Sequence, residues 1–396
     1  MDINQINSSE ILNPQDWTFP IPILYGPGRI NEIGNICRSL DINHPLIVTD
    51  RSSEDLPFIG RLIDLLNTEN IESGLFTGIS PNPKDDEISK GSSSFKSGGH
   101  DAVIAIGGGS AMDGAKAICL TANNEIPLWD FEWEKEPAKI SNDKPFPKLI
   151  TIPTTAGTGA ETEGTAMVTD TEQGMKFCIC HPDLKPSKAI LDPELTLELP
   201  RTLTAWTGAD AMIHSIEGYC VPGFHPLCDG AALQSLSLIS ENLILAVDEP
   251  DNIKARGAML VASCLGGIAF LKGLGLVHAI SHMVGAEFDT HHGLTNAIVL
   301  PVITRFNFPQ LEGKVQKMSS AMQYDDHTID AFISNIDEIL DRIEIPKNLS
   351  EIGVPMDCVE RISEKSMKDS AFATNPRIAS LEEMNVLVSQ SIKQAR

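Results

Sequence analysis

Ala102–Ile106 (AVIAI) is a compact apolar run that stops at three glycines, Gly107-Gly108-Gly109, and is followed at once by helical spacing. A run this short and this apolar reads as a strand buried on both faces, as strands of parallel sheets are. Pro45–Thr49 (PLIVT), ending at Asp50, and Leu149–Pro153 (LITIP) repeat the pattern, and Phe58–Asn67 between the first two has amphipathic helical spacing. Strands alternating with helices predict an α/β, Rossmann-like domain with a mostly parallel sheet and its ligand at the carboxyl ends of the strands. Beyond Leu191–Pro200 strand-like runs almost vanish. Helical spacing then dominates from Ala209 through Gly230–Val247, Lys254–Phe270 and Ile329–Ile343. The expected division is an α/β domain over 1–195 and an all-helical domain over 196–396. Gly91–Gly99 (GSSSFKSGG) reads as a surface turn.

Charge narrows the function classes. With 54 acidic against 30 basic side chains the net charge is −24, which repels phosphate backbones and anionic lipid surfaces, so nucleic-acid and membrane-surface roles are set aside. No stretch offers about 20 uninterrupted apolar residues, as a membrane helix requires. Met1–Trp17 has neither the basic start nor the apolar run of a signal peptide. The eight cysteines are scattered without a CxxC, which points to a reducing, cytoplasmic setting. Cys178 and Cys180 read as two residues on one face of a strand.

Three constellations carry chemistry. Gly107, Gly108, Gly109 and Ser110, followed by Asp113 and Lys116, open a helix after a strand. Glycines there let a pyrophosphate approach the backbone and the helix N–H groups; a tight turn without ligand is the alternative. Thr154, Thr155 and Thr158 lie in a Gly-rich segment after the third strand, suited to ribose, phosphate or nicotinamide, or merely a polar loop. Asp50 ends its strand, where a carboxylate accepts ribose hydroxyls and repels a 2′-phosphate, favouring NAD over NADP; it also suits a helix cap. The third constellation is sharper. Asp210 and His214 are four apart in TGADAMIHSIEGY, His278 and His282 four apart in GLGLVHAISHMVG, and His291 and His292 follow. Four-residue spacing on a helix shares a face. Carboxylate plus imidazoles is a donor set for Zn2+ or Fe2+.

The segments GGGSAMDGAK at 107–116, TTAGTGAE at 154–161, TGADAMIHSIEGY at 207–219, GLGLVHAISHMVGAEFDTHHGLTNAIVLP at 273–301 and Thr374-Asn375-Pro376-Arg377 together resemble the iron-containing (group III) alcohol dehydrogenase family, from about Leu24 to the C-terminus. The resemblance implies the dehydroquinate synthase-like fold of that family, with its site in the cleft between an N-terminal dinucleotide-binding and a C-terminal helical domain. It implies metal ligands Asp210, His214, His278 and His292, the last chosen over His291 because the family's final ligand lies fourteen residues beyond the third, and it puts Fe2+ ahead of Zn2+. His282 then faces substrate and nicotinamide as the catalytic residue. Asp50, Gly107, Gly108, Gly109, Ser110, Thr154, Thr155, Thr158 and Lys176 fall on cofactor positions, with Asp113 beside them. The implied reaction is hydride transfer between a small alcohol or aldehyde and NAD, in a homodimer or larger homo-oligomer.

Around the substrate the chain departs from the family. Phe270, Leu271 and Lys272 replace small or amide residues, and Gly164, Thr165, Ala166 and Ala371 are small where others are bulkier. These suggest a wider pocket lined by Thr165, Phe270, Lys272 and Ala371. Lys272 leaves room for a hydroxy acid, although a surface lysine is the plainer reading. Rival readings are a dehydroquinate-synthase-like lyase, a polyol-phosphate enzyme of the same fold, or an inactive metal-binding structural protein. Net NADH production with a simple alcohol separates them.

Overall fold

The structure is a computed structural model and describes residues 21–393; Met1–Trp17 lies outside them. The chain divides into two compact units, Pro20–Thr155 with Ala160–Glu198, and Ala156–Gly159 with the chain from Leu199 onward.

The first unit is α/β. In chain order it contains β1 (Ile23–Tyr25), α1 (Ile33–Ser39), β2 (Pro45–Asp50), α2 (Pro57–Thr68), β3 (Gly74–Ile79), α3 (Asp85–Gly98), β4 (Ala102–Gly107), α4 (Gly109–Ala122) and β5 (Lys148–Pro153), then β6 (Thr165–Asp170), β7 (Met175–Cys180) and β8 (Lys188–Leu191). Six strands form one sheet in the order β1-β8-β5-β4-β2-β3, every pairing parallel. The apolar runs are continuous because both faces are covered. Leu46, Val48, Val103 and Ala105 face Ile88, Phe95, Met112 and Ile118 of α3 and α4. The alternate residues Ile47, Ile104, Ile150 and Ile152 join Ile33, Ile59, Leu62 and Leu66 of α1 and α2. From β2 the chain steps outward to β3, then returns to place β4 on the other side of β2 and β5 beyond it. That reversal leaves a crevice at the carboxyl ends of β2 and β4, where ligands of such sheets bind. β6 and β7 form a separate antiparallel hairpin, which carries Cys178 and Cys180.

The expected turn at Gly91–Gly99 is instead the second half of α3. Its small residues serve close helix contact: a Cβ on Gly91 would strike Ile118 of α4, and the Ser92 hydroxyl pairs with Thr121. The helix ends where Gly99 takes a left-handed φ of 67°, a conformation glycine adopts without strain.

The second unit is helical: α5 (Arg201–Cys220), α6 (Pro226–Asp248), α7 (Ile253–Ala269), α8 (Leu276–Phe288), α9 (His292–Asn307), α10 (Glu312–Ala321), α11 (Ile329–Arg342), α12 (Val359–Ser366), α13 (Ser370–Thr374) and α14 (Leu381–Lys393). Among the described residues no strand follows Leu191. Pro226–Asp248 and Ile253–Lys272 are long and apolar enough to cross a membrane by length and composition alone. Charged residues interrupt both, and they supply core to this unit through buried Leu236, Ile239 and Leu243 of α6 and Met259, Leu260 and Ile268 of α7.

Candidate metal centre and dinucleotide crevice

In the helical unit three helices converge. Asp210 and His214 lie one turn apart on α5, His278 and His282 one turn apart on α8, and α9 begins at His292. Gly293 lets that first turn close in, since a Cβ there would collide with the Trp206 carbonyl and stand 3.1 Å from the Asp210 Cβ. One ligand atom from each of Asp210, His214, His278 and His292 lies within 4.8 Å of all the others. The first three residues are buried and His292 is partly exposed. The imidazoles are held from behind. His214 Nδ1 pairs with the Gly157 carbonyl at 3.1 Å and His278 Nδ1 with Glu217 Oε2 at 2.7 Å, as metal-ligating histidines are oriented, which leaves each Nε2 for the cluster. Burial is the largest influence on His214 and pushes it down to about 4, so it stands as neutral imidazole at pH 7. Neutral imidazoles and a carboxylate are the donor state that a divalent ion takes.

His282 is buried beside the cluster, stacked on His292 at 5.3 Å. Its Nδ1 meets Asp369 Oδ2 at 2.9 Å. His291 does otherwise: it caps α9, its Nδ1 accepting the Leu294 N–H, and its ring lies 5.0 Å from Trp206.

Three residues escaped the sequence reading. Glu217 accepts the backbone N–H groups of Gly275, Val277 and His278 as well as the His278 ring, so one buried carboxylate seats the start of α8 and orients the His278 imidazole. Its spacing of seven from Asp210 and three from His214 puts it on their helix face, a signal that was available. Asn296, one turn into α9, donates to Asp210 Oδ1 at 2.8 Å and lies 3.1 Å from His278 Nε2 and from His292 Nε2. Asp369 has no local signal, being 87 residues from His282.

In the α/β unit, Asp50 sits at the crevice. Its carboxylate accepts the Ser52 N–H at 3.0 Å, the Ser53 hydroxyl at 2.9 Å and the Ser52 hydroxyl, so it organises its own turn. A carboxylate has roughly four acceptor positions, which leaves capacity for a ribose. Gly107 has φ 143°, and a Cβ there would stand 3.0 Å from Asp50 Oδ2. The Thr154 N–H donates to the Gly107 carbonyl at 2.9 Å. The Thr155 hydroxyl is buried without a hydrogen-bond partner and lies 3.8 Å from where a Gly108 Cβ would be. Gly109 and Ser110 form the first turn of α4.

Other sequence candidates are placed differently. Asp113 accepts the Met167 N–H at 3.2 Å and lies 3.6 Å from Lys116; burial lifts its carboxyl to about 6. Lys116 is wholly buried and bonds Glu163 and, at 2.6 Å, the Thr165 carbonyl. Thr165 gives both its N–H and its hydroxyl to Glu163. Asp113 and Thr165, both partly exposed, thus border the buried Lys116–Glu163 ion pair. Lys176 is buried on β7. Thr158 goes with Ala156–Gly159 in the helical unit, where the glycines allow backbone contact: a Cβ on Gly157 would strike Thr207, one on Gly159 would strike Gly267. Smallness at 164 and 166 is likewise packing, not pocket width, because a Gly164 Cβ would strike the Leu184 carbonyl and Ala166 is core. Lys272 is no surface lysine. Its side chain is 5% exposed and bonds Asp229, with the Tyr219 carbonyl at 3.3 Å. Phe270 faces His214 at 4.9 Å, and Ala371 is buried at the start of α13, its N–H on Asp369.

Comparison with known proteins bears on both units. The family profile described as iron-containing alcohol dehydrogenase matches residues 20–193, and that described as Fe-containing alcohol dehydrogenase family, C-terminal, matches 204–392. The chain is 32% identical over 390 residues to a NAD-dependent methanol dehydrogenase of Bacillus methanolicus, covering 96% of this chain and 99% of the relative. The solved structure of a 1,3-propanediol oxidoreductase superposes with a TM-score of 0.90 at 32% identity, over 96% of this chain and all of that one. A sulfoacetaldehyde reductase from Bifidobacterium kashiwanohense, solved in complex with NAD+, gives 0.86 at 28% identity, over 96% and 100%.

Proposed function

This chain belongs to the iron-containing alcohol dehydrogenase family and is an oxidoreductase of the CH–OH group acting on small alcohols or aldehydes; from that premise we propose that Asp210, His214, His278 and His292 hold Fe2+ in preference to Zn2+ and that the hydride acceptor is NAD. The observation that carries the metal reading is the buried convergence of four ligand atoms within 4.8 Å, with two imidazoles already oriented by Gly157 and Glu217. A metal bound there supplies a Lewis acid for the alcohol or carbonyl oxygen. The family description supports iron.

The residues divide the remaining work. NAD bound in the α/β unit would supply the hydride acceptor for the carbinol carbon, and the hydroxyl proton would pass to the protein, so that a carbonyl compound and NADH would result. His282 is the proposed proton acceptor. With Nδ1–H donated to Asp369, its Nε2 carries the lone pair. The crevice at β2 and β4 supports dinucleotide binding, with phosphates at the N-terminus of α4 and the orphaned Thr155 hydroxyl available to them. Asp50 takes ribose hydroxyls and repels a 2′-phosphate. Because Lys272 is paired with Asp229, the argument for a hydroxy acid falls away, and neutral alcohols are the proposed substrates. All eight cysteines are free, which supports a reducing, cytoplasmic setting. A homodimer or larger homo-oligomer rests on the family resemblance, and light scattering checks it.

An alcohol panel scored by NADH formation, on protein reconstituted separately with Fe2+ and Zn2+, tests the proposal. Turnover is expected, faster with Fe2+. Metal-loaded protein that produces no NADH from any alcohol would refute it.

A further inference from the structure

We infer that Glu87 keeps this enzyme selective for the non-phosphorylated dinucleotide by holding the Arg51 guanidinium away from the ribose pocket at Asp50. The inference rests on the reading of Asp50 as the ribose acceptor. Asp50 ends β2 and Arg51 is the next residue, its backbone N–H still bonded to the Ile79 carbonyl at 2.9 Å. An arginine near the ribose is how a crevice of this kind accommodates a 2′-phosphate, because the guanidinium fork matches phosphate oxygens. The chain therefore carries the acidic determinant of one cofactor and the basic determinant of the other side by side.

The geometry decides between them. Arg51 Nη2 lies 2.7 Å from Glu87 Oε1 and 3.0 Å from the Gly78 carbonyl. The arginine side chain is 59% exposed and could swing; the Glu87 side chain is 3% exposed and could not. Glu87 is fixed through its other oxygen, Oε2, which accepts the Ser80 N–H at 3.1 Å, the Ser80 hydroxyl at 2.9 Å and the Lys84 N–H at 3.2 Å. A buried, immobile carboxylate thus captures a mobile cation one residue from Asp50.

Glu87→Gln is the informative change. Its amide oxygen keeps the Ser80 and Lys84 donors. Its NH2 then replaces Oε1 and presents hydrogens to a guanidinium that has only hydrogens to offer, so Arg51 loses its ionic partner and keeps only the neutral Gly78 carbonyl, from which an exposed side chain can swing. The ratio of kcat/KM with NADP to that with NAD should rise about tenfold, the worth of one charge-assisted hydrogen bond. Calorimetric affinity for 2′,5′-ADP relative to 5′-AMP should rise in step, without turnover. Adding Arg51→Ala to Glu87→Gln should restore both wild-type ratios. Asp50→Ser, measured alongside, separates the two readings. If Asp50→Ser shifts the ratio and Glu87→Gln does not, or Glu87→Gln lowers only the thermal midpoint, or its effect survives Arg51→Ala, the clamp is wrong and the ribose reading stands. If Asp50→Ser leaves the ratio unchanged, the ribose reading fails and the clamp with it.

Discussion

Glu217 accepts four donors, three of them backbone N–H groups at the start of α8 and one the ring of His278. Glu217→Gln should therefore lower metal affinity about 10- to 100-fold, the usual cost of removing a ligand's orienting partner; competition with a chelator measures it, and an unchanged affinity would refute the role. Alanine at Asp210, His214, His278 or His292 should cost metal and activity together. Alanine at His282 should keep the metal and lose rate, and alanine at His291 should leave metal content unchanged. Elemental analysis reads these variants directly, and a fully metallated His292→Ala protein would show that His292 is not a ligand. In the α/β unit Glu161 is buried with Oε1 unpaired, and burial lifts its carboxyl from 4.5 to about 7. Between those values the folded state holds more protons than the unfolded state, so this residue costs stability increasingly as pH rises through the window. The cost is full above it. Glu161→Gln should add on the order of 1–3 kcal/mol at pH 8 and almost nothing below the window. Urea unfolding at both pH values tests it, and an equal effect at both would contradict it.

Elements reach the site through close approaches that only glycine permits. Gly293 lets α9 deliver His292 beside Asp210, because a Cβ would meet the Trp206 backbone. Gly293→Ala should cost about 1–3 kcal/mol, as overpacking does, and weaken metal retention by shifting His292. Denaturation and metal content check the two halves, and no change in either would mean that the contact relaxes freely. The same physics explains the helix at Gly91–Gly98. GSSSFKSGG has the composition of a turn, but in α3 its small residues let Ile118 and Thr121 of α4 come close, a tertiary reason invisible in local propensity.

Over the whole molecule, 54 acidic and 30 basic residues leave a net charge of −24, and such self-repulsion weakens the compact state. Raising ionic strength from about 0.01 M to about 0.15 M shortens the Debye length from about 30 Å to about 8 Å, so the thermal midpoint should rise over that range. A midpoint that falls would show that attractive pairs outweigh the repulsion. The division of labour holds at this scale too. The α/β unit builds its crevice at the reversal between β2 and β4. The helical unit gathers Asp210, His214, His278 and His292 from α5, α8 and α9.

Local pattern determined a good deal of this. Three apolar runs stood at 45–49, 102–106 and 149–153, and the structure has strands at 45–50, 102–107 and 148–153, because a strand buried on both faces leaves a run with no polar interruption. The change to helices past Leu191 was equally legible, and four-residue spacings put Asp210 with His214 and His278 with His282 on shared helix faces. What the tertiary structure decided was partnership. Lys272 could be read as surface or as substrate-binding until Asp229 was found beside it, 43 residues away. The hydroxyl of Thr165 and the carboxylate of Asp113 carry no local sign of the partners they meet, Glu163 for the first and Met167 and Lys116 for the second. Asp369, Asn296 and Glu87 each act on a residue distant in the chain. Periodicity records which face of an element is buried; it carries no record of which other element covers that face, and a polar side chain's role is set by the partner it meets there.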